Sequence, residues 1–333
     1  MAQVRNIGII GTGSHVPSVT LTNHDLEKRI DTTDEWIYTK TGIRERRIAD
    51  QSEATSDLAL YASLAALRDA GVSATEIDLV VLATSTPDMI QPSTAAILQG
   101  KLGAINAVSF DVSAVCAGFV YAMTTAVGLM RAFGQYKKAL VVGAETYSRI
   151  LDWTDRTTCV FFGDGAGAVV LADVEDGHGY LSHYLMNDGR RWDVIKFAAG
   201  GSRFPTSHET LDKGLHAFRM EGKKVWDFAI EALPDAVRRA VSIANMGIDD
   251  IDLLISHQAN INIIRYGLKE LGLDESKTFT TIEKYGNTSG ASIPITLAEA
   301  YRAGVIPSDS VLALVGFGGG LSWGAMILRW CGE

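Results

Sequence analysis

Three side chains in this sequence are of the types that together carry out acyl transfer. Cys116 lies in FDVSAVCAGFVYAM (110–123), His257 follows the apolar run IDLLIS in SHQAN, and Asn287 sits in YGNTSG. A cysteine attacks as its thiolate, and a helix N-terminus favours that anion. Cys116 precedes AGFVYAMTTAVGLM, a stretch with few helix breakers, and Ala114, Ala117 and Gly118 are small enough to let a substrate carbonyl approach the sulfur. The pattern suits a thioester intermediate. Each residue also has a plainer reading. A free cysteine is most often a small core hydrophobe. A histidine at a strand end is often structural, and an asparagine between Gly and Thr suits a turn or helix cap.

Two glycine-rich stretches invite a nucleotide reading and fail it. GFGGG (316–320) lacks the Lys and Ser/Thr that follow in a phosphate loop, and GIIGTGSHVP has Val16 where a dinucleotide fingerprint needs its third glycine. A bare glycine loop after a buried strand can instead present N–H groups to a developing oxyanion. His15, His24, His178, His183, His208 and His216 show no metal-ligand spacing, and Cys159 and Cys331 read as structural.

An internal repeat is what would gather residues so far apart in the chain. AGVSATEIDLVVLATST (70–86) matches MGIDDIDLLISHQAN (246–260), with Asp78 and Asp252 174 positions apart. KKALVVGAE (137–145) matches SDSVLALVGFGG (308–319), with Gly143 and Gly316 173 apart. Two matches at nearly one offset indicate a duplicated unit of about 170 residues, giving halves at 1–175 and 176–333. Carried across that offset, Cys116 falls near Ser289. Cys116 and the Gly286–Ser289 turn are therefore expected at equivalent helix N-termini, both facing the junction of a pseudo-dimer. Ser256, His257 and Gln258, at the end of a buried strand, reach the same place, where ligands bind in α/β sheets.

Strands are expected near 4–10, 78–84, 106–111, 138–144, 166–172, 251–256, 311–316 and 323–329. Helices are expected near 55–70, 92–102, 117–133, 222–244, 261–271 and 292–302. The alternation predicts α/β layers with largely parallel strands. The stretch 185–215 fits neither period and reads as a long surface excursion, and RERR (44–47) as a solvated turn. Val311–Leu328 carries no charge but contains five glycines, which suits two strands and a turn better than a membrane helix.

The chain has 333 residues, 47% apolar and 21% charged, enough for one large or two medium domains. A net charge of −9 argues against a nucleic-acid surface. Three cysteines without paired spacing argue against a disulfide framework or zinc site and fit a reducing cytosol. The opening MAQVRNIGIIGTG lacks the apolar core of a signal peptide. A cytoplasmic location is expected.

Taken together, DTTDEWIYTKTGIRERR, DVSAVCAGF, FGDGAGAVVL, SHQAN, GNTSGASIP and GFGGGLSWGA resemble β-ketoacyl-acyl carrier protein synthase III over nearly the whole chain. That family comprises thiolase-fold condensing enzymes that start fatty acid synthesis. The resemblance implies a five-layered αβαβα fold of two similar halves, a homodimer, no permanently bound cofactor, and no nucleic-acid or membrane partner. It implies that Cys116 takes an acyl group from acyl-CoA. Malonyl-acyl carrier protein then loses carbon dioxide, and its enolate attacks the acyl-Cys thioester to give a 3-oxoacyl product. His257 and Asn287 would donate to the malonyl thioester oxygen, the N–H groups of Cys116 and Gly319 to the acyl-transfer oxyanion, and Phe317 would stand beside the malonyl carboxylate. Trp36 would stack on the CoA adenine, with Lys40 where the family has Arg and Arg156 as the second basic residue. Gly222, Trp226, Ala259 and Asn260 would surround the pantetheine arm, and Gln91 marks the position that closes the acyl pocket.

The sequence departs from the family where the acidic carrier docks. Asn262 and Asp227 stand at positions that are often basic, and Glu270 adds another acid, while Lys223, Lys224, Arg265 and Lys269 are nearby substitutes. With Gln91, these departures leave open a specialised relative in secondary metabolism (a polyketide or quinolone starter condensation), or acyl transfer to an alcohol or amine. A papain-like hydrolase is disfavoured by the repeat, and a silent scaffold by the presence of all three reactive positions.

Overall fold

The computed structural model describes residues 5–332. Its strands are β1 (Ile7–His15), β2 (Val19–Thr22), β3 (Glu45–Ile48), β4 (Leu79–Ala83), β5 (Val108–Val112), β6 (Ala139–Thr146) and β7 (Asp164–Asp173). They continue with β8 (Gly179–Asn187), β9 (Ile195–Phe197), β10 (Phe218–Met220), β11 (Leu253–Ser256), β12 (Val311–Gly318) and β13 (Ser322–Arg329). The helices are α1 (Asn23–Glu27), α2 (Asp34–Thr41), α3 (Thr55–Ala70), α4 (Thr94–Leu102) and α5 (Gly118–Ala132). The others are α6 (His208–Asp212), α7 (Gly222–Ile243), α8 (Ile261–Leu271), α9 (Ile282–Tyr285) and α10 (Ser292–Arg302).

The apolar runs form strands buried on both faces, and the two-residue period sorts their side chains between layers. Leu79, Val81 and Ala83 of β4 face inward with β6, α5 and α10, whereas Val80 and Leu82 face outward with α3 and α4. On the other side Leu312 and Leu314 of β12 join the same inner core, while Val311, Ala313, Val315 and Phe317 pack against α7 and α8. The result is five layers: α3 and α4, one sheet, α5 and α10, a second sheet, then α7 and α8. The expected αβαβα thiolase-like architecture is what the chain forms.

The two sheets are copies. One has the order β1-β7-β6-β4-β5 and the other β8-β13-β12-β11, with an isolated parallel bridge between Leu254 and Thr278 in the fifth position. Strands are less parallel than expected. β4 pairs in parallel with β5 and β6, and β11 with β12. Every other pairing in these sheets is antiparallel. The reason is local: β12 and β13 follow each other with no helix between them, and a short connection can join only antiparallel neighbours.

Several local expectations need correction. Of the strand expected at 4–10, Val4 lies outside the described residues, and the strand itself begins at Ile7 and runs on to His15. Its glycines answer to packing, since a Cβ on Gly11 or Gly13 would stand 2.5 Å from Ala70 N or 2.3 Å from Ala66 N where α3 crosses the sheet. RERR is no solvated turn. It enters β3, and Arg46 is 0% exposed, donating to the Leu21 and Val160 carbonyls and to Asn23 Oδ1. The stretch 185–215 completes β8 and contains β9, which pairs with β10, and it turns Val194 and Ala199 into the interior.

Candidate active site

Both middle-layer helices begin with the same device. One 3₁₀ turn, Val115–Ala117, leads into α5, and another, Ser289–Ala291, leads into α10. Val115 has φ +47° and Ser289 φ +48°, three residues before the first residue of each helix. A non-glycine residue there costs of order 1–3 kcal/mol and persists only where the surroundings impose it. Val115 therefore matches Ser289, and Cys116 matches Gly290. The pseudo-twofold brings the two turns into contact, with Cys116 Sγ 3.4 Å from Ser289 Oγ.

The end of β12 closes over this turn. A Cβ on Gly316 would lie 2.9 Å from Ala117 Cα, and one on Gly318 would lie 2.7 Å from Cys116 Cβ and 3.1 Å from its sulfur. Gly318 thus packs directly against the thiol. A Cβ on Gly319 would face Val115 and Ile195 instead.

His257 leaves β11 held by its N–H to the Val315 carbonyl at 2.8 Å. Its Nδ1 lies 2.7 Å from Ser292 Oγ, whose second partner is the Ser289 carbonyl at 2.8 Å. Burial pushes the imidazole pKa down to about 3, so the ring is neutral. The Phe317 ring stands edge-on at 5.3 Å. Asn287 accepts the Ser289 N–H on Oδ1 at 2.8 Å, which leaves its NH₂ as the donor available to a ligand. Cys116, His257, Asn287, Phe317 and Gly318 line one cavity with Tyr147, Phe162 and Phe218. Burial pushes the Cys116 thiol up to about 12, with a contribution from the nearby Glu145 charge. The helix start predicted from sequence is present, but burial outweighs its pull on the thiol.

A second cavity continues from the first. It shares Phe162, Met220, Ala259 and Asn287 and runs outward past Gly222, Trp226 and Asn260. All four residues expected around a pantetheine arm therefore lie along one path. Trp36 is 38% exposed, and the Arg156 guanidinium lies 5.6 Å from its ring while bonding the Asp31 carbonyl at 2.7 Å. Lys40 lies in the last turn of α2, and its carbonyl accepts from Asn260 and Asn262. Asn262 thus anchors α2, which accounts for an amide at that position. Gln91 is exposed beside Met89 and Ile90 and does not line the Cys116 cavity within one chain. Three of the four candidate docking cations are matched by neighbouring acids: Lys223 with Asp227, Lys224 with Glu221, and Arg265 with Glu275.

Sequence reasoning placed Ser289 at the equivalent helix start but missed Ser292, which lies 2.7 Å from His257 Nδ1, Tyr147, which lines the Cys116 cavity, and Glu145, whose charge acts on the thiol. One signal was available for Glu145: it is the carboxylate at the end of the otherwise apolar run ALVVGAE, and a charge in a strand buried on both faces needs a reason.

The family described as 3-oxoacyl-[acyl-carrier-protein] synthase III matches residues 110–189, and its C-terminal counterpart matches residues 241–330. The chain is 50% identical over 323 residues to β-ketoacyl-[acyl-carrier-protein] synthase III of Caldanaerobacter subterraneus subsp. tengcongensis, covering 97% of each. It is also 50% identical to the protein so named in Clostridioides difficile, covering 97% of this chain and 98% of that one. The crystal structure of β-ketoacyl-[acyl carrier protein] synthase III from Thermus thermophilus superimposes with a TM-score of 0.91 at 42% identity, covering 98% of this chain and 100% of that one.

Proposed function

The chain belongs to the β-ketoacyl-acyl carrier protein synthase III family, and from that premise we propose how its residues divide the family's reaction. It is a condensing acyltransferase that initiates fatty acid synthesis, taking acyl-CoA and malonyl-acyl carrier protein as substrates. One observation carries the assignment of roles: Cys116, His257 and Asn287 line a single cavity that continues outward past Gly222, Trp226 and Asn260.

In the first half-reaction the Cys116 sulfur attacks the acyl-CoA carbonyl, and CoA leaves. The N–H groups of Cys116 and Gly319 are the proposed donors to the oxyanion. Trp36 and Arg156 hold the nucleotide at the mouth, with Lys40 beside them. Lys lacks the planar fork of Arg and stacks less well, so the Arg156–Trp36 pair takes the larger share.

In the second half-reaction negative charge grows on the malonyl thioester oxygen as carbon dioxide departs. The amide of Asn287 and a neutral His257 donate to that oxygen. Loss of one such fixed donor costs about 3–4 kcal/mol. Phe317 presents an apolar wall that disfavours the malonyl carboxylate, and so favours its loss. The enolate carbon then attacks the acyl-Cys thioester.

The chain reads as two duplicated halves, 1–175 and 176–333, working in the cytoplasm as a homodimer. Support for the dimer is an edge strand and an apolar surface beside it. β5 ends its sheet with Val108 51% exposed, and Met89, Ile90 and Phe197 are 49%, 83% and 43% exposed. A second copy on this face would cover them and is the route by which Gln91 could reach an acyl pocket.

Mass spectrometry of the intact protein tests the roles. Cys116→Ser should abolish the acetyl mass shift with acetyl-CoA, and a persisting shift would displace Cys116 as nucleophile. His257→Ala and Asn287→Ala should still acylate yet release little carbon dioxide from malonyl thioester. Equal loss of both steps would contradict this division.

A further inference from the structure

The cavity that holds Cys116, His257 and Asn287 has a volume of only about 40 Å³. A separate open groove of about 680 Å³ is lined by residues of the 51–55, 85–90 and 197–201 segments, with Thr146 and Ile150. The two spaces have no lining residue in common. Tyr147 stands between them. Its side chain lines the small cavity, whereas Thr146, Ile150 and Ser85 line the groove. Ser85 Oγ meets the Tyr147 hydroxyl at 3.1 Å, so the ring reaches from one space to the other. Phe218 repeats the arrangement: it lines the small cavity, and Phe197, its partner across β9 and β10, lines the groove.

The Tyr147 ring is held in place. It stacks on Phe162 with centroids 4.6 Å apart and 10° between the planes. Phe218 meets the Tyr147 and Phe162 rings edge-on at 5.5 Å and 4.9 Å. These are the favoured arrangements of aromatic pairs, and all three side chains are buried. A close-packed interior yields little to an added methylene.

The small cavity sets a size. A water molecule needs about 10–15 Å³ of such space, so about 40 Å³ takes roughly three heavy atoms. An acetyl group has that many: the carbonyl carbon, the oxygen and the methyl. His257 and Asn287 must stay open to the malonyl oxygen, and the outward path past Gly222 and Trp226 belongs to the pantetheine arm. The acyl chain on the sulfur is left with the aromatic side, where Tyr147 stops it.

We infer that Tyr147, braced by Phe162 and Phe218, is the specificity-determining wall that limits the primer of this chain to acetyl-sized acyl groups by closing the Cys116 cavity off from the groove. This rests on Cys116 being the acylated residue. The transfer itself is unchanged: the bond from carbonyl carbon to CoA sulfur breaks, the bond to Cys116 sulfur forms, and the thiol proton leaves with free CoA. A longer chain needs the space that the ring fills. Without the ring, the chain end would pass between Thr146 and Ile150 into the groove.

The test is single-turnover acylation by acetyl-, isobutyryl- and hexanoyl-CoA, read by mass spectrometry of the intact protein. One extra methylene against a fitted pocket changes discrimination by about 10- to 200-fold. Isobutyryl and hexanoyl groups should therefore acylate the parent at least tenfold more slowly than acetyl, and a smaller gap overturns the size limit. In Tyr147→Ala the gap between hexanoyl and acetyl should narrow at least tenfold, and a lesser change overturns Tyr147 as the wall. Tyr147→Leu keeps an apolar filler against Phe162 and carries the same expectation if Tyr147→Ala fails to fold. Tyr147→Phe retains the ring and should keep the parent's gap. A narrowed gap there would assign the limit to the hydroxyl and overturn the role of the ring. Acylation that survives Cys116→Ser overturns the underlying nucleophile assignment instead.

Discussion

Removing the Ser292 hydroxyl probes whether His257 works as a neutral donor. Ser292 Oγ lies 2.7 Å from His257 Nδ1 and 2.8 Å from the Ser289 carbonyl, and it has one proton to give. The Ser289 carbonyl can only accept that proton, so an Nε2–H that serves the thioester oxygen requires the hydroxyl to turn from the carbonyl to Nδ1. His257 is 1% exposed and its pKa is pushed down to about 3, so the ring cannot escape the choice by taking a second proton at neutral pH. In Ser292→Ala the buried Nδ1 loses the hydroxyl that the Nε2–H form needs as its donor. An unsatisfied buried group of this kind costs about 1–3 kcal/mol. At about 1.4 kcal/mol per factor of ten that is roughly 5- to 150-fold on the step that uses the donor. The assay separates the half-reactions: acetylate the enzyme, then mix it with malonyl-acyl carrier protein and follow carbon dioxide in a single turnover. Decarboxylation should slow within that range while acetylation changes less than twofold. Unchanged decarboxylation, or an equal loss in both steps, would refute the reasoning.

Three further outcomes follow from the geometry. Gly318→Ala places a methyl 2.7 Å from Cys116 Cβ and 3.1 Å from its sulfur. Displacing a nucleophile by about 1 Å can cost about 100-fold, so acetylation followed by intact mass should slow at least tenfold, and a parental rate would contradict the contact. Arg46→Ala strips the donor from the Leu21 and Val160 carbonyls and from Asn23 Oδ1. At about 1–3 kcal/mol for each stranded acceptor, urea unfolding should show a loss of at least about 3 kcal/mol, and a loss under about 1 kcal/mol would count against it. Stability should also depend on pH through two buried groups of opposite sign. Glu145 has a folded pKa raised from 4.5 to about 7, so its contribution is fully present below 4.5 and is lost as pH rises through 7. His257 has a folded pKa lowered from 6.5 to about 3, so its contribution is present above 6.5 and is lost as pH falls toward 3. Glu145→Gln should therefore gain stability relative to the parent between pH 5 and pH 8, and a pH-independent difference would be inconsistent with a buried ionising carboxyl.

Much of this molecule was legible along the chain. Helices α3, α7, α8 and α10 fall where their periods and flanking turn residues placed them, within a residue or so of the expected limits. The repeat offset was enough to bring Cys116 beside Ser289 before any coordinate was considered, and the contact spans 173 positions. The likeness in motifs carried the tunnel residues Gly222, Trp226, Ala259 and Asn260 to one path. Sheet direction was less legible, because alternation of strands and helices does not say which neighbours a strand takes.

By itself the sequence determined that strands and helices alternate in layers and that the thiol opens a helix, since apolar period, small residues and repetition are properties of neighbours along the chain. Only the tertiary structure decided what those residues are chemically. Arg46 reads as a surface charge until partners 23 and 114 positions away surround it. Cys116 reads as a thiol eased toward its anion by a helix start, until two sheets enclose it and burial raises its pKa. His257 meets Ser292, and Glu145 meets Ser85 and Gly290, through hydrogen bonds between elements remote in sequence. Burial and hydrogen-bond partnership are set by what the other half of the chain places nearby, and no local pattern encodes them.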